Sequence, residues 1–166
     1  MASGNLLAYF GAVDGEAPAS VFATLDTRNA VPVLDFDDTT DESIVFAGFM
    51  PAHYAGGGVT VTIGWMATSA TTGAISLDAA FMSVTDDADD LDTKAFAAAN
   101  NANPTTASAT GEVQYTAVTF TDGADMDSVA AGEYFRLQIT RDANGTTSTD
   151  DMTGDMELLF VAVTET

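Results

Sequence analysis

The chain has 166 residues, 25 of them acidic against only four Lys and Arg, no cysteine, and a formal net charge of −21. Without cysteine there is no disulfide framework, thiolate chemistry or Cys-based zinc site, and so acidic a surface repels phosphate backbones and anionic lipid, which excludes nucleic acid and membranes as partners. A chain of this length fits one domain that buries about two-thirds of its unfolded surface, so packing alone suffices for a core.

In chain order, residues 1–19 lack both a basic leader and a long apolar run, so they read as neither a secretory signal nor a membrane anchor. They are expected to form an N-terminal arm or a first edge segment, with Leu6, Leu7, Tyr9 and Phe10 as docking candidates, ahead of one domain over residues 20–166. Val21–Asp26, Val31–Phe36 and Ser43–Phe49 are short Val- and Phe-rich runs bounded by turn residues, and each predicts a strand. Pro51, His53 and Tyr54 close the third run, and Gly56, Gly57 and Gly58 follow. No Lys-Ser or Lys-Thr comes after the glycines, so they read as a tight turn, not a phosphate cradle. Val59, Val61, Ile63 and Trp65 alternate with Thr60, Thr62, Gly64 and Met66, the period of a half-buried strand.

Ala74–Thr85 continues the strand pattern with a change of phase. The acidic loop Asp86–Asp92 then precedes Leu91–Ala99, which predicts two helical turns behind an Asp90 cap. Asn100–Thr110 is small and polar and reads as a loop crossing between sheets. In Glu112–Thr121 the apolar phase moves from Val113 and Tyr115 to Val118 and Phe120, which predicts a bulge near Ala117. Ala124–Ala131 predicts one or two helical turns, Tyr134–Thr140 a strand, Asn144-Gly145 a turn within a long acidic connection, and Asp155–Thr164 the last strand. About eight strands without strand-helix-strand alternation predict an all-β antiparallel β-sandwich, jelly roll in type, with one or two short connecting helices. Ser43–Phe49 and Leu158–Val163 are apolar on both faces. A second copy of the chain or the helical connections would then cover the outer face.

No catalytic constellation emerges. His53 is the one histidine, and no G-x-S-x-G elbow exists to partner it, so a nucleophilic triad is not expected. Acidic pairs arise by chance in a chain this rich in carboxylates, and one Trp and four Tyr do not make the aromatic groove of a glycosidase. Asp86, Asp87, Asp89 and Asp90 are weak calcium candidates, since crowded carboxylates repel unless solvated or neutralised by a hard cation; a solvated loop is the plainer reading. Arg136 and Arg141 are expected to pair with carboxylates within the chain or across an interface, and His53 and Tyr54 join them as interface candidates.

Pro51–Tyr54, the Gly56–Gly58 loop, the Val59–Trp65 strand and the Ala131–Arg141 strand together resemble small jelly-roll structural proteins of tailed-phage virions. The resemblance covers most of the chain, and its motifs are structural, so they speak to fold more than to role. It implies a non-enzymatic virion protein, made in the host cytoplasm and seated on the capsid exterior as a decoration or cement protein. Its partners would be its own copies, as a homotrimer, and the major capsid protein or another virion protein. The alternative is a tail-fibre or carbohydrate- or receptor-binding β-sandwich module, with the loops around His53, Trp65 and Asn144 as its contact surface.

Overall fold

A computed structural model of the chain describes residues 4–166. Ten strands form two antiparallel sheets: β1 (Leu6–Gly11), β2 (Thr24–Arg28), β3 (Val31–Phe36), β4 (Glu42–Phe49), β5 (Val59–Ala67), β6 (Leu77–Val84), β7 (Asn100–Ala102), β8 (Gln114–Phe120), β9 (Tyr134–Arg141) and β10 (Met156–Glu165). The larger sheet runs β2-β3-β10-β5-β8, with β1 also paired to β10, and the smaller runs β4-β9-β6-β7. The protein is thus an all-β jelly-roll sandwich. Among the described residues no helix is long and apolar enough to cross a membrane.

The sequence period explains which face each strand buries. Val59, Val61, Ile63 and Trp65 of β5, and Phe135, Leu137 and Ile139 of β9, are all fully buried between the sheets. Trp65 carries a polar N–H into this core, and it donates to the Thr116 hydroxyl at 2.9 Å, so the indole is buried without an unpaired donor. Aromatic contacts lock the layers together. Phe10 of β1 stacks on Phe46 of β4 at 5.4 Å, and Phe81 of β6 meets Phe120 of β8 edge to face at 5.0 Å.

Several expectations are corrected. Of the two expectations for residues 1–19, an arm or a first edge segment, Leu6–Gly11 fits the second: it is strand β1, paired with β10 from Leu6↔Thr164 to Gly11↔Phe160. Leu7 and Phe10 lie in the core, so neither is available for docking; the part of the expected arm at residues 1–3 falls outside the described residues. Leu91–Ala99 is not a helix. The Asp90 cap closes one turn, its carbonyl accepting from the Thr93 and Lys94 N–H groups, but Ala97 then donates to the Phe81 carbonyl, and pairing with β6 draws the chain away from the turn. The connection Ala124–Ala131 does form one helical turn as expected, a 3₁₀ turn at Ala124–Met126. Within the expected loop Asn100–Thr110, Asn100–Ala102 pairs with β6 as strand β7.

No bulge forms near Ala117, because β5 and β8 pair without a register shift from Val59↔Phe120 to Trp65↔Gln114. Thr116, Val118 and Phe120 simply face inward, and Tyr115 faces out. The bulge is in β10, between Leu158 and Phe160. It moves the inward phase from Leu158 to Val161, which is why this strand looks apolar on both faces in sequence.

Arg141 is no interface residue either. Its side chain is fully buried, and its guanidinium holds Asp150 through two N–H···O contacts of 3.1 and 2.9 Å, while the carbonyls of Phe36, Met152 and Gly154 accept its remaining three protons. Tyr54 is buried as well, its hydroxyl donating to Asp122 and accepting from the Gly58 N–H. Gly58 has φ +87°, and a β-carbon there would strike the Phe120 carbonyl, so the turn ahead of β5 depends on glycine at this position.

Candidate binding surface

The outer face of the larger sheet carries an aromatic platform. The β10 bulge turns Phe160 outward, directly opposite Gly64 of β5, and Tyr115 of β8 flanks the same glycine from the other side. Gly64 has no side chain, so the Phe160 ring settles against the strand where a β-carbon would otherwise sit. Phe160 meets Tyr115 edge to face at 5.3 Å and stacks on Tyr9 of β1 at 5.7 Å. Tyr9 is 59% and Tyr115 72% exposed, so the rings present apolar surface to solvent, not to the core. Four strands contribute, and at the usual strand spacing the platform spans about 14 Å across the sheet. Thr60, Thr62 and Thr164 continue the same outer face on β5 and β10 with a patch of hydroxyls.

Gly64→Ala is expected to displace Phe160, destabilise the fold by about 1–3 kcal/mol through overpacking and break the platform. Equilibrium urea unfolding reads the stability loss; an unchanged midpoint would mean that the ring does not depend on this glycine.

Arg28 lies over the neighbouring part of this face, donating to Glu157 and to the Ala67 carbonyl. The other cations are engaged as well: Lys94 with Asp89 and Asp127, Arg136 with Glu16, and Arg141 with Asp150. All four Lys and Arg side chains of this chain are therefore neutralised internally.

Asp35, paired with Glu157 across β3 and β10, has its carboxyl pushed up to about 6, first by burial and then by the negative charges of Asp155, Glu157, Asp26 and Glu42. The folded state therefore keeps a proton that the unfolded chain has already released above pH 3.8. This contribution to stability is complete below that pH and is lost as the pH rises to about 6. Asp35→Asn is expected to remove that slope, so the urea midpoint of the variant should gain on the parent between these pH values. A constant difference would contradict the assignment.

The expected calcium candidates do not converge. Asp89 accepts from the Thr85 N–H and from Lys94, and Asp90 accepts from the Asp92 N–H, so the two carboxylates stabilise turns. Among the described residues the three carboxylates that do converge are Asp37, Asp38 and Asp155, each offering an oxygen within 4.8 Å of the others. Two of them already tie neighbouring loops together: Asp155 accepts from the Asp38 N–H and Asp38 from the Gly154 N–H. His53 sits exposed in the turn after β4, and Leu6 is exposed on β1. Of the docking, interface, metal and contact-surface candidates named from sequence, only Tyr9 belongs to the platform; Trp65 is fully buried between the sheets and so forms no contact surface. Tyr115 and Phe160 lie on strands read correctly from sequence, but their meeting over Gly64 depends on long-range pairing.

No protein-family model matches the chain, and no curated protein matches it in sequence. In fold it is similar to TmCBM27, a carbohydrate-binding module with specific mannan recognition, at a TM-score of 0.51 and 9% identity, over 99% of each chain. Lower similarities connect it with the CBM22-1 xylan-binding domain of Paenibacillus barcinonensis Xyn10C (TM-score 0.49, 10% identity, covering 98% of this chain and 95% of that one) and with the module CBM36 in complex with calcium and xylotriose (0.46, 12%, 95% and 99%). At these identities the likeness shows the jelly-roll sandwich and nothing finer.

Proposed function

We propose that this protein is a non-catalytic carbohydrate-binding module whose ligand lies across the outer face of the larger sheet. The observation that carries this reading is the solvent-facing platform Tyr9–Phe160–Tyr115. Exposed rings grouped on one sheet face mark an interaction surface, and the apolar C–H face of a sugar ring complements them while its hydroxyls reach the adjacent threonines. The jelly-roll fold shared with TmCBM27, which recognises mannan, supports the reading. The charge pattern narrows the ligand to uncharged glycans, because no Lys or Arg is left to pair with a carboxylate or sulfate and the net charge of −21 repels them. Affinity electrophoresis through gels containing xylan, mannan, mixed-linkage β-glucan or polygalacturonate tests it. Retardation by a neutral polymer and none by polygalacturonate is the expected pattern, and free migration in all four gels would overturn the proposal.

A second reading, a homotrimeric decoration protein bound to the major capsid protein on a virion exterior, draws on the exposed apolar side chains Val13, Val21, Leu25 and Val31 ahead of and along the β2–β3 hairpin. Here light scattering would show a trimer, and the protein would co-sediment with capsids; a monomer that leaves capsids in the supernatant would count against it.

A further inference from the structure

The smaller sheet carries a second row of outward side chains. Phe49 of β4 lies directly opposite Tyr134 of β9, and Tyr134 lies directly opposite Val84 of β6, so the three share one face at one end of the sheet. Their neighbours Phe135 and Ser83 point the other way and are buried. Phe49 is 63% exposed, so most of its ring faces solvent. The row lines a cavity of about 520 Å³ whose rim includes Thr85, Asp86 and Glu133. Glu133 is held in place, one oxygen accepting from the Thr85 hydroxyl at 3.3 Å and the other from the Ala130 N–H at 2.9 Å, while Asp86 is exposed at the end of the rim. An apolar floor with a few fixed acceptors at its edge suits a ligand that has an apolar face and many hydroxyl donors.

We infer that this groove is a second glycan-binding site, so that the protein is bivalent; the inference rests on the carbohydrate reading of the opposite face. The two sites differ in character. The platform is an open array of stacked and edge-to-face rings with hydroxyls beside it, whereas the groove has an apolar floor and offers carboxylates as acceptors at its rim. They lie on the outer faces of two sheets packed about 10 Å apart, so a single extended chain lying on one face cannot reach the other. Occupation of both therefore joins two polysaccharide chains, and the protein acts as a cross-link as well as an attachment.

Isothermal titration tests this with a neutral hexasaccharide, xylohexaose or mannohexaose, chosen according to the polymer that retards the protein. Two equivalents are expected to bind, Phe49→Ala and Tyr115→Ala each leaving one. Both substituted side chains are largely solvent-exposed, and circular dichroism checks that each variant stays folded. The parent protein should also raise the viscosity of the matching polysaccharide solution, and both variants should lose that effect while each still binds. One equivalent that survives Phe49→Ala and disappears with Tyr115→Ala would overturn the second site and leave the platform standing. No heat with either sugar, together with no retardation in any gel, would overturn the carbohydrate reading and this inference with it. A dimer in light scattering that Phe49→Ala converts to monomer would assign the groove to a second copy of the chain and overturn the inference.

Discussion

Arg141→Met is expected to lower the unfolding free energy by about 3–5 kcal/mol, the usual cost of removing one partner from a buried ion pair. The Asp150 side chain is 1% exposed and would be left as a buried charge without its cation. Three backbone carbonyls, of Phe36, Met152 and Gly154, would lose their donor in the same change. These groups belong to the end of β3 and to the connection leading into β10, so the guanidinium pins that connection against the sandwich. For a domain of this size the loss corresponds to a melting temperature lower by roughly 10 °C. The double variant Arg141→Met/Asp150→Asn should recover part of it, because the stranded charge is gone. Urea denaturation of the three proteins measures both effects, and a single-variant loss below about 1 kcal/mol would place Arg141 outside the structural core.

Tyr115→Ala is expected to weaken glycan binding at the platform by about 30-fold or more, the effect of truncating a central aromatic anchor worth about 2 kcal/mol. Its stability should change by no more than about 0.5 kcal/mol, since the ring is mostly in solvent. That separation makes it the cleanest test of the platform. Phe160→Ala should weaken binding further and also destabilise the fold, because Phe160 supports Tyr9 on one side and Tyr115 on the other while covering Gly64. Quantitative affinity electrophoresis over a range of polysaccharide concentrations, with both changes made in the Phe49→Ala protein so that the platform alone binds, measures the binding loss. If Tyr115→Ala migrated as the parent does, the contact surface would have to be sought elsewhere.

How much of the candidate surface was legible in the sequence follows from these residues. Tyr9 stood out because it lies in an apolar cluster near the start of the chain. Tyr115 read as the out-of-phase member of its strand and suggested a bulge in β8, whereas the phase change it marked was a side chain aimed at solvent. Phe160 read as one face of a strand apolar on both sides. The irregularity behind that pattern, one extra residue in β10 relative to β5, is defined only by the partner strand and so leaves no local mark. Phe49 and Tyr134 were within strands read correctly, but nothing local says that β4, β9 and β6 bring them and Val84 into one row.

By itself the sequence determined the class of fold and most of its strands. A side-chain period of two is a local property, and the runs Val59–Trp65 and Tyr134–Thr140 show it without reference to any partner. It also determined the net charge of −21, which repels polyanions. Only the tertiary structure decided what became of the polar and apolar groups whose environment is made by distant segments. Arg141, nine residues from Asp150 in sequence, became a core ion pair, not an interface residue. Between an arm and an edge segment, Leu6–Gly11 became a paired strand because β10 at the far end of the chain offers it a ladder. The physical reason is the same in each case: burial and cross-strand pairing are set by contacts between residues far apart in the chain, and a one-residue offset between strands reverses which face a side chain occupies.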